Sequence, residues 1–236
     1  SACLVGSEMC IRDRIKAEEA VIGYVGAYTY AEVISGMTSF FLGARSVCES
    51  ATMKVRYTGS WYDQGKEQEA ATALIEKDKC VLISQHADSL GAPTACELAG
   101  VPNVSYNGST YSAGKNTFIV SSAINWAPYF QYIIECAVKG QAIDSDWCGD
   151  IATNSVVISG LNQGVAAEGT EAKLKEAIDA FKAGTLKVFA TDKFTVDGKK
   201  LDQYMADIDG DFKGDTNVIH DGYFDESNAC LLYTSP

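Results

Sequence analysis

Two stretches of this chain run an apolar strand pattern into a polar, aromatic-rich turn, and a helix pattern joins them. The first is Met53-Lys54-Val55-Arg56-Tyr57, opening into Ser60-Trp61-Tyr62-Asp63. The second is Val81-Leu82-Ile83, opening into Ser84-Gln85-His86-Ala87-Asp88-Ser89. Between them Ala70, Ala71, Leu74 and Ile75 share one helical face, while Lys66, Glu67, Glu69, Glu76 and Lys77 lie elsewhere. A strand–helix–strand unit of this kind makes a parallel pair with a right-handed crossover, so both turns belong at the same carboxyl edge of one sheet. Open parallel sheets take their ligands at that edge. The block therefore predicts an α/β fold and says where its site lies.

The rest of the chain continues the alternation. Val21-Ile22-Gly23-Tyr24-Val25-Gly26 predicts a strand, and Val33, Ile34, Met37, Phe40 and Phe41 recur at helical spacing over 30–45. A helix over 91–98 is stopped by Gly100 and Pro102. Val104-Ser105-Tyr106 is a short strand broken by Asn107-Gly108, and Phe118-Ile119-Val120 is another, ending in Ser121-Ser122. An aromatic-rich helix over 127–138 ends at Gly140, and Val156-Val157-Ile158 is a further strand. Thr170 is expected to cap a helix carrying Leu174, Ala177, Ile178 and Phe181, closed by Gly184. Leu186-Lys187-Val188-Phe189 follows, and 194–228, rich in Asp, Gly and Lys, predicts a hairpin-bearing extension. Such alternation predicts parallel α/β sheets, more than one of them.

The two ends carry a different message. Met9-Cys10-Ile11-Arg12-Asp13 can be written ATG-TGT-ATA-AGA-GAC, and Cys230-Leu231-Leu232-Tyr233-Thr234-Ser235 as TGT-CTC-TTA-TAC-ACA-TCT. Over their shared length these are reverse complements, and Leu4-Val5-Gly6-Ser7-Glu8 resembles the upstream part of the same sequencing adapter in translation. Residues 1–14 and 230–236 are accordingly expected to be adapter-derived segments of a metagenomic fragment, and are set aside.

Composition removes several function classes. The chain has 236 residues, with 19 basic against 31 acidic side chains and a net charge of −12, which argues against a nucleic-acid partner. The charges set aside (Glu8, Arg12, Asp13 and Arg14) cancel, so the acidic character stands. No apolar run is long enough to span a bilayer. Of the eight cysteines, Cys3, Cys10 and Cys230 fall in the suspect ends. Cys48, Cys80, Cys96, Cys136 and Cys148 remain, without a CxxC pair, and are expected mostly as small buried apolar residues rather than metal or redox groups.

The expected edge loops are 27–30, 60–63, 84–89, 106–108 and 121–126. They offer Tyr28, Trp61, Tyr62, Tyr106 and Trp126 for stacking, and Gln85, His86, Asp88, Ser89, Asn107 and Asn125 for hydrogen bonds. A stacking wall with a few placed polar groups suits a flat, neutral, polar ligand such as a nucleobase, a nucleoside or a sugar. Catalytic alternatives fit poorly. His86, Asp88 and Ser89 are too close in one turn to form a nucleophile–base–orienter line, and no GxSxG elbow occurs. Gly23-Tyr24-Val25-Gly26 lacks the third glycine of a dinucleotide fingerprint. Asp207, Asp209 and Asp211 resemble the start of a calcium loop, but Phe212 stands at its glycine position. His220 is expected as a surface residue. No metal, cofactor or catalytic residue is expected.

On particular residues the chain resembles the basic membrane protein family, the substrate-binding lipoproteins of bacterial ABC importers. The matching stretches are Glu32-Val33-Ile34, Phe41-Leu42-Gly43-Ala44-Arg45, Trp61-Tyr62-Asp63-Gln64-Gly65-Lys66-Glu67, Gln85-His86-Ala87-Asp88-Ser89, Tyr106-Asn107 and Asn125-Trp126-Ala127-Pro128-Tyr129. Lys187-Val188-Phe189 and Asp221-Gly222-Tyr223-Phe224 also resemble family positions. The resemblance implies a periplasmic-binding-protein type I fold, with two Rossmann-like lobes closing on a ligand and most of the first lobe missing. It implies a C-terminal lobe over 15–120, hinge crossings and return elements completing both lobes over 121–189, and a C-terminal extension over 190–229.

The same resemblance implies a non-enzymatic extracytoplasmic protein, periplasmic or held at the membrane by a lipid anchor that this chain lacks, with an ABC permease as partner. Its ligand would be a purine nucleoside or purine base, contacted by Tyr28, Trp61, Tyr62, His86, Asp88, Tyr106, Asn107, Asn125 and Trp126. Ile124 stands where nucleoside-binding members carry a lysine, which leaves a purine base or another small solute open beside a nucleoside. The rival readings are the ligand-sensing domain of a transcription regulator, a sugar-binding protein of the same fold, and a hydrolase.

Overall fold

A computed structural model of the chain describes residues 20–186 except 146, together with 188, 195–196 and 199–200. Six strands form one sheet in the order β2-β1-β3-β4-β5-β6. They are β1 (Val21–Gly26), β2 (Thr52–Tyr57), β3 (Leu82–His86), β4 (Asn103–Ser105), β5 (Phe118–Ile124) and β6 (Val156–Ser159). Five helices connect or follow them: α1 (Ala31–Val47), α2 (Gln64–Glu76), α3 (Gly91–Ala99), α4 (Ala127–Lys139) and α5 (Thr170–Lys182). A separate antiparallel pair, β7 (Thr195–Val196) and β8 (Lys199–Lys200), supplies a hairpin in the expected extension.

Strand periodicity divides the core between the two faces of the sheet. Alternate side chains point to opposite faces. On one face Ile22, Tyr24, Leu82 and Val104 pack with Ile34, Met37, Phe40 and Ala44 of α1. On the other, Val25 and Ile83 pack with Ala71 and Leu74 of α2 and with Ala92, Ala95 and Cys96 of α3. Helices thus cover both faces, the arrangement a parallel sheet requires. Gly91 allows α2 and α3 to meet: a Cβ there would lie 2.3 Å from Gln64 O and 2.9 Å from Glu67 Cβ. Cys48, Cys80, Cys96 and Cys136 are buried and Cys148 is exposed, so the apolar expectation holds for four of the five. Burial pushes the Cys80 and Cys96 thiols up to about 12.

Several sequence expectations need correction. β3 continues through Gln85 and His86, which the pattern placed in a turn. β5 runs on to Ile124 rather than stopping near Ser121. The described residues hold one large sheet, not several, and its last strand is antiparallel: Ser121–Ile124 of β5 pairs with Val156–Ser159 of β6. The reason lies in α4. A parallel crossover needs its helix seated on the sheet, but α4 buries only Cys136 and leaves Phe130, Ile134 and Val138 exposed at 57%, 61% and 82%. The chain instead returns directly beside β5. Thr170 is not a cap either. Gly169 holds the N-cap position, and the Thr170 hydroxyl donates back to Ala167 O. Leu186 lies outside any strand, and His220, Asp207, Asp209 and Asp211 fall outside the described residues.

Candidate functional site

Register brings the expected edge loops level. Gly26, the last residue of β1, lies beside Tyr57 of β2 and His86 of β3. The turns beyond these strands are tied to one another by backbone bonds. Gly59 N donates to Ala27 O (2.9 Å), Ala27 N to His86 O (3.2 Å) and Asp88 N to Trp61 O (2.8 Å). The Trp61 and Asp88 turns therefore form one surface.

Buried Glu67 lies beneath that surface. Its Oε1 accepts from Asp63 N (3.2 Å) and Ser89 N (3.3 Å), so one carboxylate holds both turns. Burial pushes its carboxyl above the ordinary range, against the pull of these N–H groups. Asp63 caps α2 by accepting from Lys66 N at 3.0 Å, and Ser89 Oγ accepts from Gly91 N at 3.1 Å where α3 begins. The turn sequence thus serves the helix ends first.

Above this support stands an aromatic cluster. Tyr28 and Tyr30 stack at 5.0 Å between centroids, and Trp61 meets them at 5.6 and 6.1 Å. Trp61 lies 6.4 Å from the His86 ring, and Tyr106 covers that ring at 3.8 Å. His86 itself is only 2% exposed. Its Nδ1 lies 3.3 Å from the Tyr24 hydroxyl, and its Nε2 faces Glu32 Oε1 at 3.5 Å, too long for a well-formed hydrogen bond. α1 presses on the imidazole from behind: a Cβ on Gly36 would lie 2.6 Å from His86 Nδ1. Tyr106 Oη donates to the same Glu32 Oε1 at 3.1 Å. Chiefly through the facing imidazole, and also through the Tyr106 hydroxyl, Glu32 is held below the usual carboxylate range despite partial burial.

The residues expected at the site divide into three sets. Tyr28, Trp61, His86 and Tyr106 come together, with His86 buried beneath Tyr106 instead of projecting from a turn. Tyr62, Asp88 and Asn107 stand exposed along the same edge, Asn107 in the left-handed region at φ 58°. Asn125 and Trp126 follow the carboxyl end of β5 and make local contacts. Asn125 donates through Nδ2 to Asn154 O and accepts from Ala127 N, which fastens the start of α4. Trp126 contacts Tyr129 and Phe130 on that helix. Gln85 is likewise structural, accepting from Asn103 Nδ2 at 2.9 Å inside the sheet. Tyr30, Glu32 and Glu67 are the additions. An acid in the first turn of a helix ordinarily answers the helix dipole, and that ordinary role hid Glu32. No group of His, Cys, Asp and Glu among the described residues could hold a metal ion.

A parallel-dominated sheet with helices on both faces and an aromatic carboxyl edge is the architecture of a periplasmic-binding-protein type lobe. Residues 15–185 match the family model of the PnrA-like ABC transporter substrate-binding proteins, and the chain belongs to that family, the basic membrane protein family. Over 133 residues it is 35% identical to a Haloferax volcanii protein provisionally named an ABC transporter glucose-binding protein, covering 56% of this chain and 34% of that one. Over 114 residues it is 32% identical to a purine-binding protein of Brucella abortus, covering 48% of this chain and 32% of that one. Among solved structures, an ABC transporter solute-binding protein from Conexibacter woesei superposes with a TM-score of 0.63 at 21% identity, over 79% of this chain and 60% of that one. The matched stretch spans about a third of the length of the two sequence relatives. The family is a solute-binding, non-enzymatic class whose members work outside the cytoplasm. No helix among the described residues is long and apolar enough to cross a membrane.

Proposed function

We propose that this chain supplies one wall of a solute-binding site that captures a purine nucleoside or purine base for an ABC permease. The observation that carries the reading is the ring cluster of Tyr28, Tyr30, Trp61 and Tyr106 gathered at one sheet edge beside the Glu32 carboxylate. Exposed aromatic faces stack on a flat ring, and a neighbouring carboxylate accepts its N–H or O–H groups. A purine-binding relative supports this ligand class, while the relative named for glucose keeps a sugar as the second reading.

The opposite wall is proposed to come from a second lobe. The chain corresponds to about a third of its sequence relatives, and the exposed stripe of Trp126, Phe130, Ile134 and Val138 offers that lobe an apolar face. Ligand capture is then coupled to closure about the β5–β6 crossing. A lipid anchor would hold the protein at the membrane beside its permease. Titration calorimetry on the product of the uninterrupted gene tests the reading with adenosine, guanosine, inosine, adenine and glucose. Heat with a purine supports it. Heat with glucose alone moves the assignment to sugar, and no heat with any of them removes the ligand class altogether.

A further inference from the structure

We infer that Glu32 is a specificity-determining carboxylate, which selects a ring ligand bearing a vicinal hydroxyl pair and rejects phosphorylated ligands. The inference rests on the solute-binding reading above and deepens it. Glu32 sits in the first turn of α1, two residues beyond Tyr30, with its side chain 64% exposed at the aromatic edge. Its two oxygens differ. Oε1 accepts from Tyr106 Oη and faces His86 Nε2, whereas Oε2 has no hydrogen-bond partner among the described residues. The carboxylate is thus oriented by one oxygen and available through the other.

An ionised carboxylate accepts and cannot donate, with about four lone-pair sites over its two oxygens. One of these sites is engaged by Tyr106 Oη on Oε1, so a ligand with two adjacent donors can satisfy sites on both oxygens. Vicinal hydroxyls on a sugar ring have that spacing, and both a free monosaccharide and a nucleoside carry them. The apolar face of such a ring, or the base attached to it, would lie against Tyr28, Tyr30 and Trp61. Charge sharpens the selection. Glu32 is held ionised, Asp88 stands exposed on the adjoining turn, and the chain carries a net charge of −12. A phosphate brought to this edge meets like charge and finds no lysine or arginine among the described residues of the cluster, a repulsion of the kind that makes binding sites exclusive.

The experiment compares the uninterrupted gene product with its Glu32→Gln and Glu32→Ala variants by calorimetry, using adenosine, 2′-deoxyadenosine, adenine, glucose and AMP. Gln is nearly isosteric but replaces one acceptor oxygen with a donor and removes the charge. The expected result has three parts. The wild type binds a diol-bearing ligand, adenosine or glucose, at least tenfold more tightly than 2′-deoxyadenosine, adenine or AMP. Both variants lose that preference, with affinity for the diol ligand down tenfold or more. Glu32→Gln also narrows the discrimination against AMP. Which of adenosine or glucose binds identifies the source of the hydroxyl pair. Unchanged affinity in Glu32→Gln, or equal binding of adenosine and adenine by the wild type, overturns the inference and leaves the solute-binding reading intact. Absence of binding to every compound removes both. Matching thermal unfolding of the variants and the wild type separates a recognition defect from a folding defect.

Discussion

Replacing Gly36 by Ala should destabilise the protein, although Ala is the better helix former. Gly36 lies in the middle of α1, where the exchange alone is worth about 1 kcal/mol in favour of Ala. The new methyl, however, would sit 2.6 Å from His86 Nδ1 and 3.1 Å from both His86 Cε1 and Tyr24 Oη. Non-bonded contacts with carbon are comfortable at about 3.5 Å or more, so the imidazole must retreat by about 1 Å. It has nowhere to go. The ring is 2% exposed and Tyr106 covers it at 3.8 Å between centroids.

Overpacking of this kind costs about 1–3 kcal/mol, and loss of the Tyr24–His86 hydrogen bond adds about 1 kcal/mol. After the gain in helix propensity, the net change is about 1–3 kcal/mol of destabilisation. For a protein of this size that lowers Tm by roughly 2–4 °C per kcal/mol. Gly65→Ala is the control, because its Cβ would meet only Asp63 Oδ1, at an ordinary 3.6 Å. It should be neutral or slightly stabilising. Urea unfolding of both variants gives the comparison, read as a shift of the midpoint at constant slope. A Gly36→Ala protein as stable as wild type would refute the tight packing of α1 on His86, and with it the orientation of Glu32.

Glu67→Gln keeps the acceptor for Asp63 N and Ser89 N but removes a charge that burial disfavours. Because burial raises the folded-state pKa of Glu67, its protonated form stabilises the fold below the unfolded value of about 4.5, and that contribution is lost as pH rises through the folded value. Glu67→Gln should therefore match the wild type at acid pH and exceed it in urea midpoint near neutrality; parallel pH profiles would count against the buried-charge argument. On α4, a Phe130→Ser/Ile134→Ser variant should leave the urea midpoint of the isolated chain within about 0.5 kcal/mol of wild type, since both residues are exposed, and should reduce binding of a hydrophobic dye by more than half. A loss above 1 kcal/mol would mean that the stripe is already packed.

The legible part of this protein was the part written in periodicity. Ile22, Tyr24 and Val25 alternate as a strand buried on both faces, and Leu74 with Ala71 marks the inner face of α2, so element order and the shared carboxyl edge of β1, β2 and β3 followed from spacing alone. His86 was harder to place. A His between Gln and Ala looks like a turn residue, and its burial depends on Gly36 and Tyr106, fifty and twenty residues away along the chain. Glu67 sits on a helix full of charges, and only the tertiary approach of the Ser89 turn distinguishes it from its solvated neighbours. The direction of β6 was equally hidden. It depends on what α4 fails to pack against, and spacing within a helix says which face is apolar but not what covers it.

The unpartnered polar atoms of the core fall on β3 and on α2. Among the described residues, three buried side-chain polar atoms have no hydrogen-bond partner: Ser84 Oγ, His86 Nε2 and Glu67 Oε2. Ser84 and His86 are both on β3, and Glu67 holds the turn that follows it. Such groups are costly, about 1–3 kcal/mol each, and folded proteins contain few of them. Chance would scatter them through the core. Here two lie on β3 and the third on α2, beside the turn that follows β3. A core selected for stability alone would have replaced Glu67 with an apolar residue and filled Gly36. Both positions instead support something above them: Glu67 holds the Asp63 and Ser89 turns, and Gly36 leaves room for His86 against Tyr106, whose hydroxyl holds the Glu32 carboxylate. Under the proposed function, the stability given up in this support serves an edge that must hold a shape.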